Sequence, residues 1–172
     1  MNMFIKISGL SDGVYTYKFD APVSDVGLAE PFIGNFQVDY KLNKFNNQIV
    51  LSGDLKLQAR LMCDRCLTDY EKVINTNYQM VYFIGEQPDD LTKDGNNFLY
   101  IPVDADKIYL SSDIRDYSIL SIPMKRLCKE DCKGLCQRCG KNLNESPCSC
   151  PEKEIDERWL PLLGLKRKFG NN

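Results

Sequence analysis

The chain has 172 residues, of which 43% are apolar and 27% charged, and its net charge is −2. That suits one globular domain, or one with a small appendage, and the charge gives no global reason to expect nucleic acid; DNA is not expected as a partner. There is no histidine, which excludes Ser–His–Asp triads and histidine general bases, but there are eight cysteines.

The N-terminal "MNMFIKISGL" lacks the basic start and long apolar stretch of a secretory signal, and no apolar run nears the ~18–20 residues of a membrane span. A reduced, cytoplasmic setting without a membrane partner is expected. From Phe4 to about Ile84 the texture is β. "FIKISGL", "GVYTYKF", "FQVDYKL", "QIVLSGDLKLQARLM" and "YEKVINTNYQMVYFI" are rich in Val, Ile, Tyr and Phe and alternate in places. Asn46-Asn47 predicts a tight hairpin turn, since Asn tolerates positive φ. "SDGV" and "DAPVSD" read as further turns, and Gly53 as a bulge or bend in the long run Gln48 to Met62.

A polar surface loop is expected from Gly85 to Asn97, then a short strand in "FLYIPV". "SSDIRDYSILSIP" predicts a helix capped by Ser or Asp, with Ile114, Tyr117, Ile119, Leu120 and Ile122 as apolar candidates, ended by Pro123. "IDERWLPLLGLK" predicts a short helical turn broken at Pro161. Together these give a β-rich α+β protein. An antiparallel, strand-dominated body with one helix near its end occupies 1–123, and a small zinc-bound module with a basic tail occupies 124–172.

The cysteines are Cys63, Cys66, Cys128, Cys132, Cys136, Cys139, Cys148 and Cys150. "CDRC" and "CQRC" are C-x-x-C pairs, whose two intervening residues let both sulfurs face one point, as a tetrahedral zinc knuckle needs. Gly140 supplies the positive φ such turns often require. Eight thiols make two Cys₄ sites for two Zn²⁺ ions. Cys136, Cys139, Cys148 and Cys150 form an internally complete set. By subtraction the other site is Cys63, Cys66, Cys128 and Cys132, which clips the β body to the start of the module; spacing leaves open whether Cys132 joins the C-terminal set instead. Disulfides conflict with the expected compartment. Redox catalysis normally places C-x-x-C at a helix start after a strand, which neither pair does. Closed Cys₄ sites hold folds together and do no chemistry, and no phosphate-binding glycine loop is present, so the chain is read as a non-enzyme.

Charge is segregated. Between Lys125 and Lys141 stand Lys125, Arg126, Lys129, Lys133, Arg138 and Lys141 against Glu130 and Asp131, six minus two, or +4; the tail adds Lys166, Arg167 and Lys168. From Glu86 to Asp116, three basic residues stand against eight acidic ones, or −5. Two readings of the basic stretch stand side by side: an RNA or partner contact, or neutralisation of Zn(Cys)₄ centres that each carry −2 formally. Tyr78, Tyr82 and Phe83 sit at strand spacing and are read as core in preference to a base-stacking platform.

"IPMKRLC" (Ile122 to Cys128), "CDRCL" (Cys63 to Leu67), "CKGLCQRCGKNLN" (Cys132 to Asn144), "CSC" (Cys148 to Cys150) and "IDERWLPLL" (Ile155 to Leu163) resemble the YceD-like family, the large ribosomal RNA subunit accumulation proteins of bacteria and plastids. Gln137 and Glu157 depart from positions where members often carry proline. The resemblance implies a role in ribosome biogenesis with large-subunit ribosomal RNA, a pre-ribosomal particle or a ribosomal or assembly protein as partner; it carries no catalytic residues. It also implies that the C-terminal cysteine set elaborates a simpler member that keeps the first pair. From other classes, the alternatives are a zinc-stabilised protein–protein adaptor unrelated to RNA and a thiol oxidoreductase.

Overall fold

In a computed structural model, residues 3–85 and 98–151 are described. The rest of the expected polar loop (86–97), the helical turn expected in "IDERWLPLLGLK", and Lys166, Arg167 and Lys168 lie outside the described residues. Among the described residues, seven strands and one helix run in the order β1 (Phe4–Lys6), β2 (Gly13–Pro22), β3 (Phe32–Phe45), β4 (Gln48–Met62), β5 (Asp69–Ile84), β6 (Phe98–Ile101), β7 (Lys107–Tyr109) and α1 (Ser111–Leu120). The fold is strand-dominated, as its β-branched and aromatic runs dictate. The short β7 and a 3-10 turn at Val23–Val26 go beyond the sequence expectations; the latter sits where "DAPVSD" reads as a turn.

The main sheet has the order β2-β3-β4-β5-β6, and β1 pairs with β7 in a separate two-stranded ribbon. Its pairings are antiparallel except β5–β6, which is parallel from Val81↔Phe98 to Ile84↔Ile101. A parallel pair needs a crossover of about a dozen residues or more, and 13 separate Ile84 from Phe98. The β3–β4 hairpin closes at Phe45↔Gln48 around Asn46-Asn47, with Asn46 at φ 51°. The expected turn is there, and its Asn46 N–H donates to Asp12.

Alternation in β4 places Ile49, Leu51, Leu55, Leu57, Ala59 and Leu61 on one buried face. Phe36, Val38, Tyr40 and Leu42 of β3 and Ile74, Tyr78, Met80 and Tyr82 of β5 complete that face. Ile5, Val26, Ile108, Leu110 and Ile114 cover it. Tyr78 and Tyr82 are therefore core, and no stacking platform is formed by them. Gly53 is not a bulge: Tyr40↔Gly53↔Tyr78 stay in register, and the irregularity of β4's pairing lies opposite, between Ile33 and Gln37 of β3. A Cβ at Gly53 would lie 2.7 Å from the Tyr40 ring, so the glycine makes room for two tyrosines whose hydroxyls share a short hydrogen bond.

The helix differs from expectation at both ends. Leu110 occupies the cap position without a side-chain bond; Ser111 Oγ instead accepts the Met3 N–H, tying the helix start to β1. Ile114 and Ser118 are buried, whereas Ile119 and Leu120 are exposed, because one turn of packing on the sheet suffices for so short an element. It stops at Leu120, before Pro123.

Two candidate four-cysteine metal centres

β4 and β5 pair down to Met62↔Asp69, so residues 63–68, "CDRCLT", are the loop of a long hairpin. The Cys63 N–H donates to Thr68 O (3.0 Å) and the Leu67 N–H to Cys63 O (2.9 Å). The second C-x-x-C repeats this geometry with different flanks: Cys136 N–H to Lys141 O (2.8 Å), Gly140 N–H to Cys136 O (2.9 Å). Gly140 has the positive φ predicted for it (71°), and Leu67 takes the same conformation at 57°. These are two copies of one knuckle.

Each knuckle gathers two more thiols. Cys63, Cys66, Cys128 and Cys132 have all four sulfurs within 4.8 Å of one another, and so do Cys136, Cys139, Cys148 and Cys150. Cys132 thus falls with the first set, which settles the choice that spacing leaves open. Tetrahedral bonds of ~2.3 Å from metal to sulfur imply sulfur–sulfur edges near ~3.8 Å. The observed Sγ–Sγ distances are 3.8 Å for Cys63–Cys132, 3.7 Å for Cys66–Cys128 and 3.4 Å for Cys136–Cys148. All eight cysteines are unbonded to one another. The donor set therefore fits a tetrahedral ion in each centre, of the borderline or soft kind that thiolates select.

Backbone donors prepare the sulfurs. Burial opposes ionisation of Cys63, but N–H groups of Cys128, Cys66 and Arg65 outweigh it and hold the thiol at about 6, below its usual 9.0. In the second knuckle the N–H groups of Cys139 and Arg138 bring Cys136 down to about 6. Burial, then hydrogen bonds to neighbouring thiols, push Cys128 up to about 12; a bond to the Cys139 thiol, then burial, does the same to Cys150. Four adjacent thiolates repel, and a divalent cation among them is what lets all four ionise. Tyr70 packs on the first centre, and its buried hydroxyl has no hydrogen-bond partner among the described residues.

The first centre is braced. The Asp64 carboxylate accepts the Arg126 N–H (2.7 Å) and pairs with its guanidinium (3.0 Å), while Asp64 N–H donates to Arg126 O (2.8 Å). Arg65 donates to Cys132 O (2.8 Å), and its own carbonyl accepts the Leu135 N–H (3.0 Å). Gly134, at φ 76°, passes so close that a Cβ would lie 2.9 Å from Arg65 O. Asn144 reaches back from the second knuckle's loop: its Nδ2 donates to Cys132 Sγ (3.3 Å) and its Oδ1 accepts the Lys133 N–H (2.9 Å). Asp64, Arg65, Gly134 and Asn144 carry this assembly, and sequence reasoning singles out none of them. Asn144 is the most findable, as a side-chain amide between two ligand pairs.

The six basic residues are not equivalent. Arg126 is taken by Asp64; Lys141 donates to Pro147 O (3.3 Å); Lys129 lies 3.9 Å from Asp131. Lys125, Lys133 and Arg138 are exposed and have no side-chain partner among the described residues. Lys125 and Lys129 line a cleft against β5, and Arg138 stands between the two cysteines of the second knuckle.

Fold and site together define a β-sheet protein with two four-cysteine groups that could each hold a metal ion, one at a hairpin tip and one beyond it. The family model described as "Large ribosomal RNA subunit accumulation protein YceD" matches residues 51–166, and the chain belongs to that family. Among similar curated proteins are the chloroplastic large ribosomal RNA subunit accumulation protein YCED homologs of Arabidopsis thaliana (26% identical, covering 77% of this chain and 49% of the relative) and Zea mays (26%, 74% and 52%). An uncharacterized protein of Mycobacterium leprae is 24% identical over 74% of this chain and 58% of its own. The chain spans about half the length of these relatives. No solved structure matches it. Among the described residues no helix is long and apolar enough to cross a membrane.

Proposed function

We propose that the protein is a non-catalytic cytoplasmic factor in ribosome biogenesis, which promotes accumulation or assembly of large-subunit ribosomal RNA. It holds Zn²⁺ in each four-cysteine centre and works by binding that RNA, a pre-ribosomal particle or a ribosomal or assembly protein. The observation that carries the reading is membership of a family described by large-subunit ribosomal RNA accumulation. Two features support the finer parts. The all-sulfur donor sets suit zinc, which closes structural sites without an open position. Exposed cations beside them suit a phosphate backbone. The segment 124–151 contains no helix and only the bridge Leu135↔Asn142, which supports treating 124–172 as a module organised by its metals beside a body of 1–123.

The test is sedimentation of tagged protein with ribosomal precursors, with and without RNase, followed by crosslink mapping. RNase-sensitive co-sedimentation with large-subunit precursors is expected. An association with proteins only, insensitive to RNase, would support the adaptor reading in its place.

A further inference from the structure

A cleft of about 410 Å³ runs between the start of β5 and residues 125–130. Tyr70 and Leu127, both half-buried, give it apolar surface, and Lys72, Lys125 and Lys129 give it charge. Lys72 belongs to the body, 53 positions before Lys125, so the cationic group is assembled by folding and cannot be read from the basic run. We propose that this cleft is the seat of a phosphodiester group of single-stranded RNA, with Lys72, Lys125 and Lys129 as its cations; this deepens the RNA-binding reading and rests on it.

Cys128 of the first centre also lines the cleft, but the cations fixed against that centre are others. Arg126 and Arg65 are the cations built into the first centre, one fixed by Asp64 and the other by the carbonyls of Cys132 and Glu130. Of the two carboxylates on the cleft, Glu71 is already held by Arg60 (2.9 Å) and Gln58 (2.9 Å), which leaves Glu130. Lys72 and Lys125 have no side-chain partner among the described residues, and Lys129 meets only Asp131, at 3.9 Å. All three are exposed, so a ligand phosphate reaches them without rearrangement of the fold. The volume lies within the ~300–1,000 Å³ of sites that take small ligand-sized groups, and the half-buried ring and Leu127 give a ribose or base something apolar to lie against. An extended single strand can lower one phosphate into such a recess, whereas a duplex presents its backbone as a wide convex surface.

The experiment uses the full chain, metal-loaded, and a short labelled oligouridylate titrated over a series of KCl concentrations. Lys72→Ala and Lys125→Ala should each reduce the slope of log affinity against log salt by about 0.7, and the triple variant with Lys129→Ala by about 2. Metal content should stay at the wild-type value in each. Lys72→Glu should weaken binding more than Lys72→Ala, and Lys41→Ala, on the opposite face of the sheet, should change nothing. Wild-type RNA binding with an unaltered slope in the triple variant would reject the cleft and leave the RNA reading standing. If the wild type ignores RNA but is retained by a ribosomal protein, the RNA reading falls and the cleft falls with it.

Discussion

The first cysteine centre and the second contain the same knuckle, with the same pair of backbone hydrogen bonds, in two different settings. In the first, Cys63, Cys66 and Cys132 are buried and two of the ligands come from the tip of the longest hairpin. Its other two ligands arrive from Cys128 and Cys132, more than sixty residues later, so closing it fixes the β body against the cysteine-rich segment. In the second, Cys139 is exposed, the other three are half-buried, and all four ligands lie within fifteen residues. A metal in the first centre would act as a long-range clip on a packed sheet; a metal in the second would close a short loop. Loop-closure entropy grows with the length closed, so the clip constrains the unfolded chain more.

The largest expected effect is the asymmetry between Cys63→Ser and Cys136→Ser. Each should lower the metal count by one in native mass spectrometry. Cys63→Ser should also destabilise the protein by about 4 kcal/mol or more, because it opens a buried polyvalent site at the end of β4. Cys136→Ser should cost the sheet less than about 1 kcal/mol and expose mainly 132–150 to hydrogen exchange. Equal losses of sheet stability would break the distinction between clip and loop.

Gly134 tests where the clip is tightest. It has a left-handed conformation and a carbonyl where its Cβ would be. Gly134→Ala should cost about 2 kcal/mol, by strain and by pushing the Leu135–Arg65 bond apart. A chelator competition should find one of the two metals released earlier, and the urea midpoint should fall. An unchanged midpoint would mean that Arg65 yields freely and does not brace the centre.

The two centres also touch, through Asn144. Its amide donates to Cys132 Sγ, a ligand of the first centre, from a loop closed by the second. Asn144→Ala should weaken the first metal about tenfold while removing no ligand, in line with the loss of an outer hydrogen bond to a metal site. A chelator titration that finds the first metal unaltered would show the centres to be independent.

Much of this is legible in the sequence, for identifiable reasons. Strand identity comes from alternation, and the Asn46-Asn47 turn from its chemistry. Two knuckles come from spacing, and the first lies between two strands because "CDRC" sits between two strand-like runs. The features that escape sequence reading depend on contacts distant along the chain. Gly53 invites a bulge until the rings of Tyr40 and Tyr78 are seen to fill its place. Ser111 invites a cap until Met3 claims its hydroxyl. The basic run can only be counted in the sequence, whereas the structure puts Arg126 on Asp64 and brings Lys72 to the same cleft as Lys125. Tertiary structure redistributes charges and hydrogen bonds that sequence can only count.

The smallest effect concerns the position directly after each knuckle's second cysteine. Gly140 holds φ 71° there without cost, while Leu67 holds φ 57° with a side chain that is 56% exposed. A non-glycine residue in this conformation carries ~1–2 kcal/mol of strain, and glycine gives back ~0.5–1 kcal/mol in unfolded-state freedom. Leu67 loses little packing when removed, since more than half of it faces solvent. Leu67→Gly should therefore stabilise the protein by about 0.5–1 kcal/mol, or raise its thermal midpoint by roughly 1–4 °C. The reverse exchange, Gly140→Leu, should weaken the second centre by about 1 kcal/mol and leave the midpoint of the sheet where it was. A fall in midpoint for Leu67→Gly would show that the leucine is held by contacts worth more than its strain, and that the two knuckles differ in their turns as well as in their settings.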